Sequence, residues 1–116
     1  HGPDQQFGDN PTPGMSMTGT TQATIESCPP GVLGPDLRAC AVYDGAVTAA
    51  STVSCPTTLI LGALDRMTPR KTAQPLVDAM VGATVVELAA SGHAPMMEEP
   101  DTVRSVLGEH LVRATA

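Results

Sequence analysis

The stretch from Cys55 to Pro100 constrains the fold of this chain more than any other part of the sequence. It contains two short apolar runs, and each is followed by a polar loop. Thr57–Leu61 is apolar and β-branched and ends at Gly62, and Ala83–Leu88 is the second run. Apolar runs of this length predict strands that are buried on both faces.

The segment between the two runs has the pattern of a helix. Thr68-Pro69 is a typical start, because the hydroxyl can cap the helix and the proline needs no N–H there. Gly82 marks the end, and Pro75 inside the segment predicts an irregular first turn or a kink. An apolar stripe at helical spacing is formed by Ala73, Leu76, Val77, Met80 and Val81. Two strands joined by such a helix predict a parallel pair with a right-handed crossover.

Asp65 and His93 each follow one of the predicted strands. The chemistry of parallel sheets gathers beyond the carboxyl ends of the strands, and a carboxylate there can hold an imidazole in the tautomer that a base requires. Taken singly, an aspartate before a helix is more often a turn or cap residue. The order and spacing of the two favour a pair, so we expect a carboxylate oxygen of Asp65 within hydrogen-bonding distance of the His93 ring.

Residues 55–114 resemble the carboxyl-terminal part of the α/β-hydrolase superfamily. The shared pattern is a strand, an acid-bearing loop, a helix, a strand, a Gly-His loop and a helix, matched here by Gly62, Asp65, Pro69, Gly92, His93 and Pro95. Glu99-Pro100 is similar to that family's entry into its last helix. The resemblance implies an α/β fold in which Asp65 is the triad acid and His93 the triad base. It also implies an esterase-like enzyme that hydrolyses an ester or similar acyl bond of a small-molecule substrate, with no organic or metal cofactor.

The nucleophile of that family lies in a Gly-x-Ser-x-Gly turn ahead of the acid and the histidine. No serine of this sequence has a glycine two residues away on both sides; they are Ser16, Ser27, Ser51, Ser54, Ser91 and Ser105. We therefore expect a partial α/β-hydrolase fold with two parallel strands and flanking helices. The expected partner is the amino-terminal half that supplies the nucleophile, and the chain alone is expected to be inactive.

Residues 1–54 are predicted to be a loop-rich segment and the remnant of a helical cap, ahead of the core in residues 55–116. His1–Pro30 is rich in glycine and proline and predicts a loop, with room for one short helical turn. Leu33–Pro56 resembles the segment by which a cap returns to the core, and Asp44-Gly45 can divide it into two short helices. Because caps usually contact the substrate, candidate pocket residues are Met15, Met17, Leu37 and Tyr43; the alternative for each is simple packing.

A final helix is predicted from Pro100 to Arg113. Its apolar stripe, expected to face the core, consists of Val103, Val106, Leu107 and Leu111. The acidic residues at its start, Glu98, Glu99 and Asp101, suit capping by charge at a helix amino terminus better than metal binding. His110 lacks an acidic neighbour in a strand-end loop, which favours a structural role.

Composition excludes several classes of function. A net charge of −6 and an aromatic content of 2% argue against nucleic-acid binding. No apolar run is long enough to cross a bilayer. Three cysteines without a CxxC pair favour free thiols over a disulfide framework or a zinc site.

Other interpretations remain open. A non-catalytic α/β-hydrolase-like ligand-binding protein would have the same fold, and the chain could instead be an independent small interaction domain. A dehalogenase-like or carbon–carbon-bond-cleaving variant of the same machinery is a further possibility. An uncovered edge of Thr57–Leu61 would be a template for pairing, so self-association is the alternative to pairing with an amino-terminal half.

Overall fold

The computed structural model describes residues 17–116, which form a mixed α/β arrangement of helices around one parallel two-stranded sheet. In chain order the elements are α1 (Met17–Glu26), α2 (Leu33–Val42), α3 (Ala46–Ala50), β1 (Thr58–Gly62), α4 (Arg70–Ala79), β2 (Thr84–Leu88), α5 (Pro95–Glu98) and α6 (Pro100–Thr115).

The sheet confirms the predicted strand–helix–strand unit. β1 and β2 are parallel, with Thr58 opposite Thr84 and Gly62 opposite Leu88, and α4 connects them. Each strand begins one residue later than the sequence pattern indicated. The parallel pairing places the loops that carry Asp65 and His93 at the same end of the sheet, which sets up the candidate site.

Helix α4 begins differently from the prediction. Thr68 does not cap it; Pro69, in an extended conformation, precedes the first helical residue. The N–H groups of Thr72 and Ala73 both donate to the Pro69 carbonyl, at 2.7 and 3.1 Å, so the first turn is tightened. The helix then runs unbroken past Pro75. Gly82, with φ at +88°, makes the turn into β2, a conformation that suits glycine.

The strands are less buried than predicted. Within β1 and β2 only Gly62 and Leu88 are buried, and the other strand residues are half-buried or exposed. The physical reason is that a sheet of two strands has little interior, and the flanking helices cover only part of each face. In the described part of the chain the buried apolar core consists of Ala50, Leu88 and Val106.

Helix α6 faces the core with a narrower stripe than expected. Val106 is buried and Val103 half-buried, but Leu107 and Leu111 are exposed, so their predicted burial is wrong. The sheet is too narrow to cover both rows of the helix surface. No described helix combines the length and the apolar character needed to span a membrane.

The amino-terminal region contains more helix than predicted. Met17–Glu26 forms α1, although a loop was expected through Pro30, because this segment lacks proline and its polar side chains bond within the helix, as Gln22 does to Glu26. The predicted break at Asp44-Gly45 is confirmed, since it separates α2 from α3. α3 packs against α4.

One edge of β1 is unpaired within the described residues. Thr84 N–H donates to the Thr57 carbonyl and Ala63 N–H donates to the Leu88 carbonyl, both at 2.9 Å. The backbone N–H and C=O groups of the odd-numbered residues in this segment therefore point towards β2. Alternate residues of a parallel strand bond to the same neighbour. The backbone groups of Ile60 therefore point to the opposite edge, where they can pair with another strand.

We expect the isolated 116-residue chain to self-associate through this edge. Sedimentation should give an average mass that rises with concentration, and thermal unfolding should be broad. Ile60→Pro removes an outward N–H without removing a β1–β2 bond, so it should lower the average mass. Val81→Lys, at an exposed apolar residue in the turn before β2, is the matched control and should associate like the unmodified chain. A concentration-independent monomer with a sharp transition would contradict this expectation.

Candidate active site

A glycine allows the two strand-end loops to approach each other closely. Leu64 N–H donates to the Ser91 carbonyl at 2.9 Å, which links the loops beyond the sheet. A Cβ atom on Gly62 would lie 2.6 Å from the Ser91 oxygen and closer still to the carbonyl oxygen of Gly92. Both obstacles are backbone atoms, so any larger residue would push the loops apart. Gly62 thus sets the spacing on which the Asp65–His93 contact depends.

The Asp65 carboxylate accepts four hydrogen bonds. Its Oδ1 accepts from the N–H groups of Met67 and Thr68, at 2.8 and 2.9 Å. Its Oδ2 accepts from the Thr68 hydroxyl at 2.7 Å and from His93 Nδ1 at 3.0 Å. The side chain is only 9% exposed. The loop between β1 and α4 therefore fixes the carboxylate with one oxygen directed at the histidine.

These contacts keep Asp65 ionised. Burial by itself raises the pKa of this carboxyl, but the hydrogen bonds outweigh it. The Thr68 N–H, the His93 ring, the Thr68 hydroxyl and the Met67 N–H together hold the pKa of Asp65 well below its usual range. At neutral pH the group is an anion that only accepts hydrogen bonds.

The contact between Asp65 and His93 confirms the prediction that the two side chains lie within hydrogen-bonding distance. It also determines the tautomer of the ring. Because an ionised carboxylate has no proton to donate, His93 Nδ1 carries the hydrogen in their 3.0 Å bond. In the neutral ring Nε2 then has a free lone pair and can accept a proton. The imidazole is 49% exposed, so this nitrogen can be reached by a reacting group.

The Thr68 hydroxyl lies 3.5 Å from His93 Nδ1. Its proton is donated to Asp65 Oδ2, and it faces the nitrogen that already carries a hydrogen. Thr68 therefore supports the acid. It does not occupy the place of a nucleophile activated by Nε2.

Glu98 holds the histidine loop, a role that the sequence pattern did not reveal. The residue is 3% exposed, and its Oε2 accepts from the N–H groups of Gly92 and Ala94, at 2.8 and 3.2 Å. These two amides flank His93. Ser91, also buried, donates its hydroxyl to Glu99. Glu98 and Glu99 thus bind the histidine loop and do not act as free caps of α6. The sequence signal that could have revealed this role is a pair of acidic residues shortly after Gly92-His93.

A cavity of about 240 Å³ opens beside the pair. Its described lining consists of Ile60, Leu61, Gly62, Asp65, Thr68, Arg70, Ala73, His93, Pro95, Met96 and Val103. Of the candidate pocket residues, Met15 lies outside the described residues and the side chain of Met17 is not described. Leu37 and Tyr43 are exposed and do not line this cavity, so their contact with substrate stays a prediction.

His110 and the three cysteines do not line this cavity. His110 Nδ1 is 2.9 Å from the Thr58 hydroxyl and ties α6 to the amino end of β1, which agrees with a structural role. Cys28, Cys40 and Cys55 are free thiols and exposed. Among residues 17–116 no three His, Cys, Asp or Glu side chains gather in a way that could hold a metal ion.

Comparison with known proteins found no matching family model and no matching curated protein. The interpretation of the site therefore depends on its geometry. An ionised, well-bonded carboxylate fixes one nitrogen of an imidazole and leaves the other accessible, and this arrangement can take up and return a proton.

Proposed function

We propose that this chain supplies the acid and the base of a nucleophile–histidine–acid hydrolase of the α/β-hydrolase type, acting on an ester or similar acyl bond. The observation that carries the proposal is the 3.0 Å contact between His93 Nδ1 and Asp65 Oδ2 at the carboxyl ends of two adjacent parallel strands. The Gly-x-x-Asp and Gly-His loops are those expected from the resemblance to that superfamily.

In this mechanism His93 Nε2 takes the proton of a serine hydroxyl as that oxygen attacks the acyl carbon. Asp65 stabilises the resulting imidazolium through the Nδ1–H bond. His93 then returns the proton to the leaving group, which leaves an acyl-enzyme that water hydrolyses by the same proton transfers in reverse. The proposal requires that another polypeptide segment supply the serine and the oxyanion-binding N–H groups.

The full-length protein tests this proposal with a short-chain 4-nitrophenyl ester and a fluorophosphonate probe that reacts with activated serines. We expect ester hydrolysis and labelling of one serine outside the present sequence, mapped by mass spectrometry. Denatured protein is the control for unspecific labelling. If a series of acyl esters is not hydrolysed and no serine is labelled, the hydrolase proposal is wrong and a non-catalytic binding role is favoured.

A further inference from the structure

The cavity beside the Asp65–His93 pair contains a cation that the proposed mechanism does not use. Arg70 is the first residue of α4, and its side chain forms part of the wall. Most of the remaining wall is apolar, contributed by Ile60, Leu61, Ala73, Pro95, Met96 and Val103. Among the described residues that line the cavity, Arg70 alone has a permanent positive charge.

The guanidinium of Arg70 is only partly paired. Its Nε lies 3.4 Å from Glu87 Oε2, in a contact whose side chains are 39% and 46% exposed. Its Nη1 is shielded from solvent and has no hydrogen-bond partner among the described residues. A shielded N–H group without an acceptor is unfavourable. A carboxylate bound in the cavity that Arg70 lines would supply this missing acceptor.

The unpaired N–H groups of Arg70 favour a planar anion as the ligand. A guanidinium binds a carboxylate through two parallel hydrogen bonds, and in Arg70 only Nε contacts Glu87 while Nη1 has no acceptor among the described residues. Asp65, the anion on the same wall, already accepts hydrogen bonds from His93 and from the backbone of its own loop, so it is not a partner of Arg70.

We propose that this cavity binds the acyl part of a substrate that carries a carboxylate, with Arg70 as the residue that determines this specificity. The inference depends on the hydrolase function proposed above and names the substrate class of that site. The volume of about 240 Å³ is below the roughly 300–1,000 Å³ of pockets for drug-sized ligands. The described part of the cavity therefore suits a short acid, on the scale of a dicarboxylic acid monoester.

Two esters of similar size separate charge recognition from general activity in the full-length protein: mono-4-nitrophenyl glutarate, an anion, and 4-nitrophenyl valerate, which is neutral. The quantity measured is the ratio of kcat/KM for the anionic ester to kcat/KM for the neutral one. Arg70→Gln should lower this ratio by roughly 10- to 100-fold, the range expected for hydrogen bonds to a charged group.

Glu87→Gln is the matched control, because it breaks the same ion pair and keeps the cation. Its ratio should equal that of the unmodified protein or exceed it. An unchanged ratio in Arg70→Gln would overturn the inference. An equal fall in Glu87→Gln would also overturn it, because Arg70 would then act only through its structural pair.

Binding measurements keep the inference separate from the hydrolase proposal. If neither ester is hydrolysed, calorimetric titration tests whether the carboxylate site exists. The full-length protein is titrated with glutarate, and with butyramide as the neutral comparison. Binding of glutarate that weakens in Arg70→Gln and persists in Glu87→Gln supports the carboxylate site even though the catalytic proposal has failed. If glutarate does not bind to the unmodified protein, the carboxylate site is wrong.

Discussion

Replacing His93 by alanine is expected to lower kcat of the full-length protein on an activated ester by roughly 10⁴- to 10⁶-fold, as the loss of the triad histidine does in serine proteases. The reason is that no other described imidazole has one ring nitrogen bonded to an ionised carboxylate and the other free to accept a proton. Folding should be nearly unaffected, because the ring is half exposed and Asp65 keeps its bonds to Met67 and Thr68. Steady-state kinetics and thermal unfolding of the same preparation measure the two effects.

His110→Ala is the matched control for this change. It removes an imidazole that bonds to Thr58 at the opposite end of the sheet. We expect kcat to be preserved and stability to fall by about 1 kcal/mol, the typical contribution of one hydrogen bond. If the protein hydrolyses esters and His93→Ala does so at the unmodified rate, the mechanism proposed for the pair is wrong.

Asp65→Asn is expected to lower kcat by about 10⁴-fold, the size of the same substitution in a serine protease triad. The asparagine oxygen can still accept from the Met67 and Thr68 amides, so its NH₂ group is left facing His93 Nδ1. That nitrogen must then accept, which moves the ring hydrogen to Nε2 and removes the base. Kinetics on the same ester, together with ¹⁵N chemical shifts of the ring, report the rate and the tautomer.

Thr68→Val distinguishes the effect of the ring tautomer on kcat from the effect of losing one hydrogen bond to Asp65. It removes the hydroxyl that donates to Asp65 Oδ2 but keeps the carboxylate and its contact with His93. We expect its kcat to fall by less than about 10-fold, since one supporting hydrogen bond contributes about 1 kcal/mol. A loss in Thr68→Val as large as that in Asp65→Asn would show that the loop, and not the tautomer, controls the rate.

The stability of the unmodified protein and that of the Asp65→Asn variant should also depend differently on pH. The pKa of Asp65 is lower in the folded chain than its ordinary value of 3.8, so the unfolded chain binds a proton first as the pH falls. The stability that this carboxylate contributes is therefore present above about pH 4 and is lost as the pH falls towards the folded pKa. The difference in unfolding free energy between the two proteins should be largest near neutral pH and shrink below about pH 3. A difference that stays constant from neutral pH down to strongly acidic pH would contradict the hydrogen-bond origin of the low pKa.

Local sequence signals predicted the part of the fold that carries the site. Gly62 ends β1, and Thr68-Pro69 precedes α4. The helix ends at Ala79, three residues before the predicted Gly82, which lies in the turn into β2. The apolar runs become β1 and β2 with a shift of one residue. These signals act over a few residues, through backbone conformations that glycine allows and proline restricts. The parallel pairing follows from the length of the connection, and with it the contact between Asp65 and His93.

The extent of burial could not be predicted in the same way. Leu107 and Leu111 have the same spacing as buried residues, yet they are exposed because the described sheet is too narrow to cover them. Helix α1 was missed because its sequence has no apolar stripe. Contacts among its own polar groups hold this helix. Periodicity states which residues share a face but does not state what covers that face.

The sequence by itself determined which elements of the core form, their order, and the two residues that meet at the carboxyl ends of the strands. Only the tertiary structure decided which contacts surround Asp65 and His93 and hold their loops in place. Glu98 binds the amides on both sides of His93, Gly62 leaves room for the backbone of the histidine loop, and Arg70 forms part of the cavity wall. Each of these depends on distances between segments far apart in the chain, and such distances are set by packing and hydrogen bonding in three dimensions.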